Sequence, residues 1–216
     1  MAQPSESPTA RSDDASTRER MLDAALSAFS ELGYDGASTR EIAARAGVNQ
    51  GLIPYYFGSK EALWREAVNR AFAEIREGVG VVLDAGDEAV GRDRIAELIR
   101  RLVRFAASHP EFHRLMTNEG KCDGPRMHWI VDNHVRPIYD AIAALSERSS
   151  AESPLGRIDP LVMHYLLVGA ATHLFHQAPE CIRLTGRDPA DPDIIEAHAE
   201  ALIAMFVGPE TKRGDS

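Results

Sequence analysis

Residues 49–60 read NQGLIPYYFGSK and crowd Asn49, Gln50, Tyr55, Tyr56 and Lys60 into one short segment. A glutamine amide donates and accepts side by side, the geometry that pairs with N6 and N7 of adenine. Tyrosine hydroxyls offer hydrogen bonds to phosphate oxygens. Gly51 lets the backbone come close to a nucleic-acid surface. Lys60 heads the next helical segment and Thr39 heads the preceding one. There a side chain and helix N–H groups can meet phosphate together.

The same segment is poor helix material, because glycine costs about 1 kcal/mol and proline about 3 kcal/mol in a helix interior. With Asn49 as cap, Gln50, Gly51 and Leu52 fall in a first turn whose N–H groups have no helical partner. Pro54 falls beyond that turn, and its missing N–H would have bonded the Gln50 carbonyl. The sequence predicts a kinked or 3₁₀-like helix of about two turns, with that carbonyl turned to water or DNA. Ile53 and Phe57 are expected in the core.

A second chemistry is suggested by histidine. His109 and His113 are four apart across Pro110, and His173 and His176 are three apart on one helical stretch. Such spacing can hold zinc, but a complete site needs a third ligand. No HExxH or comparable cluster is present. These histidines read as hydrogen-bonded core or pocket groups, and no metal or cofactor is expected.

The elements that position these groups are helical. The first reads from the capping box Ser16–Glu19 through an apolar stripe of Met21, Leu22, Ala25, Leu26, Phe29 and Leu32 to a stop at Gly33. A second box, Ser38–Glu41, opens a short helix that buries Ile42, Ala43 and Ala46. Gly47 breaks it. After the 49–60 segment, Ser59 starts a long helix ending near Gly78–Gly80. Further helices are expected at 91–108, 110–116, 126–148 with a bend at Pro137, 161–178 and 194–206, with a loop over 179–193. The fold class is all-α. The expected division is a disordered tail at 1–14, a helix-turn-helix domain at 15–62, a larger helical domain at 63–208 and a tail at 209–216.

The formal net charge of −9 argues against a body coated in basic charge. Between Gly36 and Lys60, however, Arg40, Arg45 and Lys60 face only Glu41, a local net of +2. Arg11, Arg18 and Arg20 read as a solvated tail rather than a minor-groove arm. No apolar run approaches the roughly 20 residues that span a membrane, and the N-terminus lacks the apolar core of a signal peptide. Cys122 and Cys181 read as reduced thiols of a cytoplasmic protein.

The run TREIAARAGVNQGLIPYYFGSKEALW resembles the DNA-binding domain of the TetR family of transcriptional regulators. The matching features are the threonine opening helix two, REIAxxAGV, a polar residue before Gly51, an aromatic pair before Phe57, and GSKExL. The resemblance covers residues 15–65. It implies DNA contacts at Thr39, Asn49, Gln50, Gly51, Tyr55, Tyr56 and Lys60, on a palindromic double-stranded operator. It also implies a homodimer through the last two long helices, a small-molecule effector held in the C-terminal domain, and, usually, repression. Two positions depart from the family pattern. Pro54 stands where many members carry a phosphate-touching tyrosine, and Leu52 where a small polar residue is frequent.

A ligand pocket in a helical domain is apolar with a few orienting polar groups. The candidate lining is Phe105, Met116, Trp129, Asn133, Met163, Leu167 and His173. Rival readings from other classes are a helical, His-bearing metal-dependent hydrolase and a helical binding module that does not touch DNA. The first needs a further ligand and a base near His173 and His176, and the chain is read as no enzyme.

Overall fold

The computed structural model describes residues 8–83, 92–148 and 154–207, and every regular element among them is helical. Helix α1 (Pro8–Gly36) starts earlier than the Ser16 box predicts. Proline is preorganised for a first helical position, and nothing between it and Ser16 breaks the run. Residues 8–14 of the expected tail are thus helical, while 1–7 and 209–216 lie outside the described residues. Gly33, at φ 70 and ψ 169, interrupts α1 where its stop is expected.

Helix α2 (Thr39–Ala46) follows its sequence signals. The Ser38 hydroxyl accepts from the Glu41 N–H at 3.1 Å, which satisfies a first-turn donor. Gly47 takes the left-handed conformation (φ 66, ψ 35) and donates back to the last-turn carbonyls, a role that suits glycine at a helix end. Helix α3 (Leu52–Phe57) and helix α4 (Lys60–Leu83) follow. Helix α4 passes Gly78 and Gly80 without ending, since each costs only about 1 kcal/mol.

The chain divides into two compact units. The first runs to Ala71 and adds Arg114–Cys122. Its core is built by Met21, Leu22, Phe29, Ile42, Ile53, Phe57, Leu63 and Trp64, all buried. Ile53 and Phe57 are thus where the sequence puts them. Asn118 Nδ2 donates to the Ser30 carbonyl at 3.0 Å and ties α6 (Pro110–Glu119) to α1. Arg18 pairs with Glu66 and lies over the Phe57 ring at 5.4 Å. It is a fixture of this unit rather than part of a loose tail.

The second unit comprises Phe72–His113 and the chain from Asp123 onward. Helices α5 (Arg92–Ser108), α10 (Pro160–His176) and α12 (Pro192–Val207) bury Ile99, Val103, Met163, Ala171, Phe175, Leu202 and Ile203 in one cluster. Arg100 reaches Glu200 at 2.7 Å across α5 and α12. The stretch 126–148 is interrupted, as Pro137 predicts, but one turn earlier. It reads α7 (Pro125–Ile130), a π turn (Val131–Val135) and α8 (Arg136–Arg148). A proline ring clashes with the carbonyl four residues back, here that of Asn133, and the wider turn spans that residue. The short α9 (Pro154–Arg157) precedes α10.

The expected loop over 179–193 is in part a helix, α11 (Ala178–Thr185). Pro179 falls in its first turn, where the missing N–H has no helical partner anyway. Helix α10 is apolar on both faces. Met163 and Leu167 are buried, whereas Leu161, Val162, Tyr165 and Leu166 are exposed.

Candidate nucleic-acid interface

The α2–α3 connection is held by local bonds. Asn49 Oδ1 accepts from the Gly51 N–H at 2.8 Å, an Asx turn. The Leu52 N–H bonds the Asn49 carbonyl at 3.0 Å and the Ile53 N–H bonds the Gln50 carbonyl at 3.2 Å. Both span three residues, so α3 is entered through a 3₁₀-like turn. The Gln50 carbonyl is therefore not turned outward, as the proline suggests from sequence, but accepts within the chain. Because α3 begins at Leu52, Pro54 lies in its first turn, where it removes no bond.

Thr39, Asn49, Gln50, Gly51, Ile53, Pro54, Gly58, Ser59 and Lys60 line one groove of about 440 Å³. The structure thus brings together five of the seven DNA-contact candidates. Gln50 Nε2 donates to Thr39 Oγ1 at 3.2 Å. The Lys60 ammonium sits 4.5 Å from the Tyr34 ring centre, a cation–π contact that sequence spacing does not show. Tyr55 and Tyr56 are not in the groove lining. Tyr55 is 78 % exposed, and its ring meets the half-buried Tyr56 edge-on at 5.1 Å.

Gly51 has an ordinary backbone (φ −61), but a Cβ there would meet Asn49 Oδ1 at 3.2 Å. A larger residue there would press on the Asx turn. Gly58, at φ 75, makes the turn that carries Ser59 and Lys60 back to the groove. Ser59 Oγ accepts from the Ala62 N–H at 3.0 Å and caps α4.

The local charge is smaller than the sequence count. Arg45 bonds Glu41 and Glu31, each at 2.9 Å, so it is spent inside the unit. Arg40 is exposed and Lys60 lines the groove.

Of the seven candidate ligand residues, six belong to the second unit. Met163 and Leu167 belong to the core cluster of the second unit. Their helical spacing fits core and pocket equally, and packing against α5 and α12 decides it. Asn133 and His173 are exposed. Asn133 Nδ2 bonds back to the Trp129 carbonyl at 2.8 Å, and the His173 ring lies 5.5 Å from that of His176. Met116 belongs to the first unit. Phe105 and Trp129 are half-buried in the second. Phe105 stacks on His109 at 4.6 Å and meets Phe112 edge-on at 5.6 Å.

The histidine pairs do not form a metal site. His109 Nε2 faces Glu74 at 3.5 Å. His113 is buried and its pKa is pushed down to about 4, first by burial and then by His176 and His109. Among the described residues no group of three or more His, Cys, Asp or Glu side chains is arranged to hold a metal ion. His134, which the sequence reading passed over, is the most buried histidine. The one sequence signal for it is Pro137 shortly after it.

The comparisons with known proteins cover both units. The profile described as "Bacterial regulatory proteins, tetR family" matches residues 21–67, and that described as "Tetracyclin repressor-like, C-terminal domain" matches residues 92–206. The chain belongs to the TetR family. TetR-family proteins are transcriptional regulators with a helix-turn-helix and not enzymes, so the hydrolase reading falls.

Among relatives of this TetR-family chain, the HTH-type transcriptional regulator RutR of Escherichia coli (strain K12) is 27 % identical over 190 residues, 88 % of each chain. The HTH-type transcriptional repressor NicS of Pseudomonas putida is 27 % identical over 203 residues, 92 % of each. The structure of AibR in complex with isovaleryl coenzyme A and operator DNA matches with a TM-score of 0.69 at 17 % identity, over 89 % of this chain and 99 % of that one. At that identity it bears on the fold alone. Among the described residues no helix is long and apolar enough to cross a membrane.

Proposed function

We propose that this regulator binds a palindromic operator as a cytoplasmic homodimer, represses from it, and is released by a small molecule bound in the second unit. The observation that carries the reading is the groove in which Gln50, Thr39, Asn49, Gly51 and Lys60 converge at the start of α3 and α4. Helix α3 lies in the major groove. Gln50 reads a base edge, while Thr39, Tyr55, Tyr56 and Lys60 hold phosphates and set the register. Gly51 permits close approach, and Asn49 shapes the turn and faces the same DNA. Two copies present α3 about 34 Å, or a small multiple, apart. The exposed apolar side chains of α10, with α12, supply the surface that joins them.

An effector that prefers a conformer with the two reading helices out of register releases DNA. DNA then weakens effector binding by the same factor. The AibR complex, which holds an acyl coenzyme A and operator DNA, is a precedent for both partners in this fold. The test is fluorescence anisotropy of the full chain on a duplex from the region upstream of its own gene, against a scrambled duplex at moderate salt. Preference for the former by about 10³-fold or more is expected. Equal binding to both refutes the reading and favours a module that does not read DNA.

A further inference from the structure

His134 stands in the π turn Val131–Val135 and is 3 % exposed. Its ring lies parallel to Phe72 at 4.4 Å and edge-on to Trp129 at 5.2 Å. Arg76 Nη1 is 2.8 Å from its Nδ1. A guanidinium can only donate, so Nδ1 is the acceptor and Nε2 carries the proton. That Nε2–H is sealed from solvent and meets no acceptor.

A second sealed nitrogen lies in the same aromatic cluster. His113 Nε2 is buried without a partner, its ring 5.5 Å from Phe112, which meets Phe72 edge-on at 4.9 Å. Buried polar groups are as a rule hydrogen-bonded, and an unpaired one asks for an explanation. π turns recur at functional sites. A buried, unpaired donor with aromatic rings around it is the kind of polar group that orients a small ligand. The Arg76 charge on Nδ1 polarises the ring, which makes Nε2–H a stronger donor toward an electron-rich oxygen.

We propose that the effector is a small molecule with an apolar body and a carboxylate or carbonyl oxygen, and that this oxygen accepts the hydrogen bond of His134 Nε2. Arg76 is a positioning residue: it fixes the His134 tautomer. The inference rests on the reading of the chain as an effector-released regulator and names the chemistry of that site.

The test uses the full chain with benzoate, benzamide and toluene as probes, in titrations followed by the ¹⁵N-histidine spectrum. Benzoate and benzamide are expected to bind wild type about tenfold or more tighter than toluene and to move the His134 Nε2–H resonance. His134→Phe keeps the stack on Phe72 and removes the donor, so the three probes should bind it alike. Arg76→Met should leave His134 as a mixture of tautomers and weaken benzoate. Toluene binding by His134→Phe, with helicity unchanged, shows that the variant is folded. The proposal is overturned if benzoate binds His134→Phe as tightly as wild type, if wild type does not prefer the oxygen-bearing probes, or if the His134 resonance does not move. DNA binding is measured on the same samples. Intact selective DNA binding without the probe preference overturns this inference alone, whereas loss of selective DNA binding overturns the proposed function.

Discussion

Gln50 Nε2 donates to Thr39 Oγ1 across 3.2 Å, so the start of α2 holds the amide at the start of α3. One amide N–H is used in that bond. The second N–H and Oε1 remain for N7 and N6 of an adenine. The threonine thus preorients a side chain that would otherwise lose rotamer freedom on binding.

Gln50→Ala should therefore lose about 1–3 kcal/mol of discrimination at one base position. Thr39→Val should lower discrimination at that same position, because the amide is then unheld. Binding to duplexes carrying each single substitution checks both. Equal weakening on all sequences removes the base-reading role of Gln50.

Lys60→Ala should reduce the slope of log affinity against log salt by about one unit. Its contact with the Tyr34 ring fixes the ammonium at the groove without neutralising it. An unchanged slope removes Lys60 from the phosphate contacts.

Stability should depend on pH through the buried histidines. His113 and His134 have pKa values pushed down from 6.5 to about 4, chiefly by burial. The unfolded chain takes up protons at these positions first as the pH falls below 6.5. Their contribution is full above 6.5, is lost between 6.5 and 4, and is flat below 4. Each supplies a slope of up to about 1.4 kcal/mol per pH unit. Urea unfolding at pH 7 and pH 5 should show wild type losing more stability than the His113→Phe/His134→Phe variant. Equal losses contradict burial of both rings in the neutral form.

The groove was legible in the sequence because its signals are local. Caps, breakers and polar side chains in and just before α2 and α3 act over three or four residues. Pro54 misled for a related reason: its effect turns on whether α3 starts at Gln50 or Leu52, and only the Asx turn at Asn49 sets that. The ligand candidates are not separable from core in the sequence, because residues such as Met163 and Leu167 are apolar at helical spacing, which core and pocket share. His134 was missed because its importance lies in its neighbours Arg76 and Phe72, far away in sequence.

Gly169→Leu should give monomers if α10 forms the dimer surface. A Cβ at Gly169 meets nothing within 4 Å, and Gly169 is exposed in the protomer. Sedimentation velocity distinguishes the outcomes. An intact dimer places the interface elsewhere.

Selection of bound duplexes from a random pool, run in parallel with wild type and Gln50→Ala, decides whether this regulator reads a palindrome through Gln50. Wild type should enrich a palindrome with half-sites spaced by whole helical turns, and the variant should lose preference at one position in each half. Absence of any enriched sequence with wild type would rule out sequence-selective binding, and the same palindrome with unchanged preference at every position in both would rule out base reading by Gln50.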